Sequence, residues 1–176
     1  MSDCSQQELL IRLFTEHSFG AARILKPAPW KRGIHNQEPA DLVWLGKDVV
    51  VVFFMSESAN TRKADKHNFT QAKGFLRWWR DRQQTLKGHN SAQEFDIAYG
   101  CDTRVAIVSV VKTPDAFLRP FHSLARDLGV NAVASIPEPL IVLMAQAGYG
   151  LADLLTMILE ACVSGDSCYS ASPEHE

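Results

Sequence analysis

A continuous run of β-branched and aromatic residues at positions 49–55 constrains the fold of this chain more than any other feature. A strand with one face in solvent alternates apolar and polar residues, whereas a strand buried on both faces is apolar throughout. A second run of this kind covers residues 104–111. Because a buried strand must be covered on both sides, the two runs predict an α/β fold with a mixed central sheet and helices on both faces.

Shorter signals predict the elements around these two strands. Ser5 and Glu8 form a capping box, residues 46–48 read as a hairpin turn, Asn68 reads as an N-cap, and Pro114 opens a helix. The predicted elements in chain order are a helix to about residue 17, an irregular segment 18–37, hairpin strands 41–45 and 49–55, a loop 56–67, a helix from 69 to about 86, a strand 104–111, a helix of about a dozen residues ending before 129, strands 130–136 and 140–145, and a helix 151–162.

Length and composition indicate one globular domain. The 176 residues, 46% hydrophobic and 22% charged, predict a single domain at 1–163 followed by a flexible polar tail at 164–176. The first residues lack a signal-peptide pattern, and no apolar stretch is long enough to span a bilayer. We therefore expect a cytoplasmic chain without membrane contact. The four cysteines lack zinc-site spacing, so we expect them to have a structural or incidental role.

Three short segments carry a resemblance to a known family. They are residues 38–44, 49–56 and 71–79, and together they resemble the PD-(D/E)XK nuclease superfamily, which has a restriction-endonuclease-like fold. In that family an acidic residue opens one hairpin strand, the next strand ends in Asp or Glu, a spacer and Lys, and a following helix often carries a glutamine. Asp41 matches the first acidic position, Gln71 matches the glutamine, and Glu8 matches an extra acidic residue of some members.

The second strand departs from the family motif. Residues 53–58 carry no acidic residue followed by lysine, and Glu57 is the nearest carboxylate. The resemblance implies that Asp41 and Glu57 hold Mg²⁺ or Mn²⁺, with Lys63 or Lys66 in place of the missing lysine. In such a site the metal lowers the pKa of an attacking water and stabilises charge on the phosphate.

Each candidate residue also has an ordinary structural explanation. Glu8 is explained by the capping box, and Glu38 and Glu57 by exposed loops. Asp41 can end a turn with a solvated carboxylate, and Gln71 lies in the first turn of the predicted helix, where a polar residue needs no special reason. Lys63 can be a solvated loop residue.

The basic residues of the chain concentrate between Thr61 and Lys87. This segment carries a charge of +6 in a chain of net charge −2. Lys73, Arg77 and Arg80 follow helical spacing on one face, and the aromatic residues Phe75 and Trp78 flank that face. The pattern predicts nucleic-acid binding by Lys73, Arg77, Trp78 and Arg80 through the phosphate backbone, with a solvated helix face as the alternative.

Two functions follow as hypotheses. The first is a nuclease-fold protein that acts on or binds nucleic acid, with weak or degenerate Mg²⁺-dependent phosphodiesterase activity as one form of this hypothesis. The alternative is a catalytically inactive nuclease-fold subunit for binding or assembly, in a microbial defence or mobile-element system, with a protein partner or a homodimer. The missing lysine favours the alternative, and the basic helix face is compatible with both.

Overall fold

The structure, a computed structural model, describes residues 6–19, 23–32, 35–90, 92–114 and 117–164. Five α-helices and ten strands lie within these ranges. The elements are α1 (Gln6–Phe19), β1 (Ile24–Pro27), β2 (Trp30–Arg32), β3 (His35–Gln37), β4 (Leu42–Leu45), β5 (Val49–Ser56), α2 (Thr61–Leu76) continued by a π-helical turn (Arg77–Asp81), β6 (Leu86–His89), β7 (Glu94–Ile97), β8 (Arg104–Val111), β9 (Arg119–Pro120), α3 (His122–Leu128), β10 (Ala132–Pro137), α4 (Glu138–Gln146) and α5 (Leu151–Ser164).

Eight of the strands form one mixed sheet in the order β7-β6-β1-β4-β5-β8-β10-β9. Strands β5, β8 and β10 are parallel, and the other pairings are antiparallel. Parallel neighbours need a crossover, and α2 lies in the crossover between β5 and β8. The mixed α/β fold predicted from the sequence is therefore confirmed.

Strand β5 separates the two halves of the hydrophobic core. Val51 and Phe53 face the cluster that contains residues of α1, α4 and α5, whereas Val52 and Phe54 face the cluster that contains residues of α2. All four side chains are buried. The apolar run at residues 49–55 is thus a strand that is covered by helices on both faces, as predicted.

The first half of α2 was predicted wrongly as a loop. The helix begins at Thr61, and the side chain of Asn60 accepts a hydrogen bond of 2.9 Å from the amide of Lys63. Asn68, the predicted N-cap, lies inside the helix and is fully buried. Its Nδ2 donates hydrogen bonds to the carbonyl of Phe54 and to Ser109 Oγ. A search for apolar residues at helical spacing therefore misses the first half of α2, because a polar residue faces the interior there.

Two further segments differ from the prediction. The helix predicted to reach residue 86 ends at Asp81, and Leu86 opens the hairpin of β6 and β7. The segment predicted as irregular, residues 18–37, contains the end of α1 and strands β1, β2 and β3. Strand pairing with distant partners, such as Ile24 with Trp44, stabilises these short strands.

One strand predicted in the C-terminal half is a helix in the structure. Residues 140–145 belong to α4, where Pro139 occupies the first turn that proline favours, so the prediction of a strand was wrong. The helix predicted from Pro114 is α3, which begins only at His122, after β9. Helix α5 confirms the prediction. The capping residue Ser5 and the predicted tail beyond residue 164 lie outside the described residues.

Among the helices that the structure describes, none is both long enough and apolar enough to cross a membrane.

Candidate functional site around Asp41

Asp41 lies immediately before β4, where the chain enters the β4–β5 hairpin. Its amide donates a hydrogen bond of 3.1 Å to the carbonyl of Phe53. Its carboxylate oxygen Oδ2 accepts a hydrogen bond of 2.8 Å from the amide of Met55. Two backbone contacts to β5 therefore fix the position of this side chain beside the strand in which the family motif is missing.

Three other charged side chains surround Asp41, and with it they form what we call the acidic cluster: Glu8, Lys26, Glu38 and Asp41. Lys26 Nζ lies 3.1 Å from Glu8 Oε2 and 3.7 Å from Glu38 Oε2. The cluster draws on α1, β1 and the segment before β4. Residues that are distant in the sequence thus meet at one place.

Charges around Asp41 leave its carboxylate incompletely compensated. Burial raises the pKa of Asp41 most strongly, and the hydrogen bond from Met55 and the charge of Lys26 lower it. The charges of Glu38 and Glu8 raise the pKa again, and the net direction is upward. A half-buried carboxyl group with a perturbed pKa beside other charged groups is typical of functional sites.

Glu8 has a second cationic partner. Arg12 Nη2, one helical turn further along α1, lies 3.3 Å from Glu8 Oε1. Glu8 itself is 8% exposed, so its carboxylate is buried between two cations. These two ion pairs are contacts that the capping box, its ordinary explanation, does not include.

The predicted partners of Asp41 make different contacts. Glu57 Oε2 forms a salt bridge with Lys112 Nζ, and Glu57 is not among the charges that shift the pKa of Asp41. Lys63 is an exposed residue in the first turn of α2. The joint metal site of Asp41 and Glu57 therefore stays a prediction, and the charges recorded around Asp41 are those of Glu8, Lys26 and Glu38.

Gln71 occupies the middle of α2 and not its first turn. The side chain is half-buried, and its Oε1 is shielded from solvent without a hydrogen-bond partner among the described residues. Its match to the glutamine of the family motif rests on the sequence, and its position on α2 keeps the chain order of hairpin and helix.

The predicted nucleic-acid contacts divide into two groups. Lys73 and Arg77 are exposed, as the prediction requires. Arg80 Nη1 instead donates to the carbonyls of Leu128 and Gly129 at 2.5 and 3.2 Å, so its guanidinium binds the C-terminus of α3.

The aromatic residues beside the basic face also differ from the prediction. Phe75 is 1% exposed and belongs to the core, so it cannot stack on a base. The ring of Trp78 packs edge-to-face on Trp30, with ring centroids 4.2 Å apart. A stack of Trp78 on an unpaired base would have to compete with this contact.

Lys26 is the functional candidate that sequence reasoning missed. It was hidden in the segment predicted as irregular, although the apolar pair Ile24 and Leu25 before it is compatible with a short strand. Its partners Glu8 and Glu38 lie on other elements, so no local pattern could reveal the ion pairs.

The donor chemistry of the cluster fits a hard divalent cation. Within the described ranges, no group of three or more His, Cys, Asp or Glu side chains is arranged to hold a metal ion. Mg²⁺ does not need such a cage, because it commonly binds one or two carboxylates together with water and substrate phosphates. The uncompensated charge of Asp41 would be relieved by such an ion.

Comparisons with known proteins returned no significant match, whether to a protein-family model, a curated protein or a solved structure. The fold and the cluster together define a mixed α/β protein with a half-buried acidic cluster at the start of its central hairpin.

Proposed function

We propose that this chain is a restriction-endonuclease-like protein that acts on nucleic acid as a weak, metal-dependent phosphodiesterase centred on Asp41. The observation that carries the proposal is the acidic cluster, in which an incompletely compensated Asp41 at the start of the hairpin meets Glu8, Lys26 and Glu38. The order of acidic residue, hairpin and Gln71-bearing helix agrees with the resemblance in sequence.

Asp41, with Glu8 or Glu38, would hold Mg²⁺ or Mn²⁺. When bound, the ion supplies an acidified water and stabilisation of charge on the phosphate. The hydrogen bond from Met55 keeps one carboxylate oxygen of Asp41 in place, which leaves the other oxygen for binding. The function of Asp41 is thus to bind and orient, and β5 contributes its backbone.

Lys26 would take the part of the lysine that β5 lacks. Its ammonium group lies between two carboxylates of the cluster, and its contact with the more exposed Glu38 is the longer one, at 3.7 Å. Exchange of Glu38 for a phosphate oxygen would let Lys26 hold the substrate while it keeps Glu8. In this proposal the cation comes from β1, a neighbouring element, and not from Lys63.

Cleavage assays test the proposal. Single- and double-stranded DNA and RNA are incubated with Mg²⁺ or Mn²⁺ and with wild type, Asp41→Asn and Lys26→Met. Asp48→Asn is the matched control, because Asp48 is an exposed aspartate at the other end of β4. We expect slow cleavage by wild type and the control and its loss in both cluster variants. If wild type and Asp41→Asn cleaved equally, or if neither cleaved over long incubation, the proposal of an enzymatic function would be refuted.

A second candidate function is a binding or assembly subunit without catalysis. The observation that favours it is the pairing of Glu8 with both Arg12 and Lys26, which neutralises this carboxylate without a metal. In that case wild type would bind nucleic acid in a salt-dependent way and show no cleavage with any metal. Substitution of Asp41 would then leave the affinity unchanged.

A further inference from the structure

The three parallel strands of the sheet end at one common edge, which we call the carboxyl edge. Strands β5, β8 and β10 end at Ser56, Val111 and Pro137, and the register aligns both Ser56 and Pro137 with Val111. In open α/β sheets, ligands bind in the crevice outside the carboxyl ends of the strands. The topology therefore favours a ligand site at this edge.

A groove of about 640 Å³ lies at the carboxyl edge, between the segment 112–114, which follows β8, and helices α1 and α4. This volume is within the range of about 300–1,000 Å³ that is typical of small-molecule sites. None of the described residues that line the groove belongs to the acidic cluster. Most of the lining is apolar and comes from Leu10, Pro114, Pro139, Val142 and Leu143.

Three charged side chains interact at the carboxyl edge. Lys112 and Glu138 line the groove, and Lys112 Nζ forms its salt bridge with Glu57 Oε2. The pKa of Lys112 is raised, first by the hydrogen bond to Glu57 and further by the charges of Glu57 and Glu138. Two carboxylates and one ammonium group leave a net charge of −1. The charge balance of the groove therefore favours a cationic ligand.

Two acceptor oxygens near the carboxyl edge are shielded from solvent and have no hydrogen-bond partner within the described ranges: Glu138 Oε1 and Gln7 Oε1. Gln7 is 1% exposed and lies one helical turn before Leu10. Its Nε2 donates a hydrogen bond of 3.2 Å to the carbonyl of Ser56, which identifies the other amide atom as the oxygen. Because a buried acceptor without a donor is unfavourable, a ligand with N–H donors would stabilise this edge.

We infer that the groove binds a small organic ammonium compound with an apolar body, at a site that is separate from the acidic cluster and goes beyond the proposed function. The ammonium group donates to Glu138 Oε1 and neutralises the net charge of the carboxyl edge. The apolar body covers Val142 and Leu143, whose side chains are 38% and 52% exposed.

Other ligand classes fit the groove less well. An anion would have to displace Glu57 from Lys112, and it would add to the negative charge of Glu138. A wholly apolar ligand would cover Glu138 without giving its Oε1 a donor. An ammonium compound meets both requirements.

A titration followed by ¹H–¹⁵N NMR tests the inference, with n-hexylammonium chloride, sodium hexanoate and methylammonium chloride as probes. Ionic strength is constant, and neither nucleic acid nor divalent metal is present. Glu138→Gln removes the charge and keeps the shape, and Leu143→Ala removes part of the exposed apolar surface. Asp127→Asn is the control, because Asp127 is an exposed carboxylate on α3, which packs on the opposite face of the sheet from α4. Circular dichroism establishes that each variant is folded.

We expect hexylammonium to shift the amide signals of residues 112–113 and 140–143 in a saturable way. Its affinity should exceed that of hexanoate and of methylammonium by about tenfold or more, since each of these probes lacks one of the two recognised features. Glu138→Gln should weaken hexylammonium binding by about tenfold and Leu143→Ala by about threefold, whereas Asp127→Asn should bind like wild type.

Four results would overturn the inference: no saturable shift with hexylammonium, equal affinity for hexanoate, shifts confined to the acidic cluster, or equal affinity of Glu138→Gln and Asp127→Asn. The proposed function would stand in each case, because the titration contains neither its substrate nor its metal.

Discussion

The carboxylate of Asp41 accepts a hydrogen bond from the backbone amide of Met55, although burial holds the pKa of that carboxyl above its usual range. Glu8 and Glu38 add to the cost of its charge, and Lys26 only partly offsets them. A side chain that is anchored in place but unfavourable as an anion agrees with the binding role proposed for Asp41.

Asp41→Asn should stabilise the fold at neutral pH. Since the pKa of Asp41 is raised by folding, the protein loses stability as pH rises from the ordinary aspartate pKa through the higher pKa of the folded state. Asparagine keeps an acceptor for Met55 and removes the charge. We expect the melting temperature near pH 7 to rise by about 2–4 °C, which corresponds to about 1 kcal/mol in a chain of this size. The gain should vanish at about pH 3, where aspartate is mostly protonated in both states.

Thermal melts at the two pH values check this prediction, with Asp48→Asn as the exposed control. A loss of stability in Asp41→Asn at neutral pH would contradict the charge balance described for the cluster.

Lys26→Met should destabilise the fold in a way that depends on Glu8. The variant keeps the ion pair of Glu8 with Arg12 and removes the attraction that favours ionised Asp41. We expect the free energy of unfolding to fall by about 1–3 kcal/mol near neutral pH, below the cost for a fully buried pair because Lys26 is partly exposed.

A double-mutant cycle with Glu8→Gln measures the coupling by urea unfolding. We expect the double variant to lose less than the sum of the single losses. Strict additivity, or a loss of the same size in acid, would show that Lys26 acts through packing and not through its charge.

Substitution of Arg80 should affect the stability of the fold, whereas substitution of Arg77 should affect the affinity for nucleic acid. Arg80 is held by the carbonyls of Leu128 and Gly129, so Arg80→Ala should lower the free energy of unfolding by about 1–3 kcal/mol and leave nucleic-acid affinity unchanged. Arg77→Ala removes an exposed cation and should lower affinity, with a stability change of about 0.5 kcal/mol or less. Urea unfolding and anisotropy check both variants. If Arg80→Ala lowered the affinity for nucleic acid and Arg77→Ala lowered the stability, Arg80 would belong to the binding face after all.

Ser109→Ala should disrupt the buried polar contacts under α2. Ser109 Oγ donates to Asp65 Oδ1 at 2.8 Å and accepts from Asn68 Nδ2 at 2.9 Å. Removal of the hydroxyl leaves part of both side chains unsatisfied, and we expect a loss of about 1–3 kcal/mol in urea unfolding. Ser123→Ala, on the exposed surface of α3, should unfold at the wild-type midpoint. Coincident midpoints for the two variants would refute the role of these contacts.

Local patterns predicted the elements whose stability comes from a clear apolar face. Strand β5 and helix α5 are of this kind, and so is the hairpin that places Asp41. Residues 140–145 were misread because a short apolar run fits a buried strand as well as a helix packed on the sheet. The start of α2 was missed because Asp65 and Asn68 face the interior through hydrogen bonds that a hydrophobic pattern does not contain.

The site could be predicted only in part for a related reason. Asp41 is recognisable because its position in a hairpin motif is local in sequence. Lys26 is not, since its salt bridge to Glu8 joins a strand to a helix and is visible only when both elements are placed. The pairing of Glu57 with Lys112, residues 55 positions apart in the chain, was hidden in the same way.

A crystal structure soaked in Mn²⁺, with an anomalous difference map read at Asp41, tests the central claim most directly. The account predicts a peak about 2.0–2.2 Å from an oxygen of Asp41, with Glu8 or Glu38 as a further ligand. No peak at Asp41 at saturating Mn²⁺, or a peak at Glu57 alone, would contradict it.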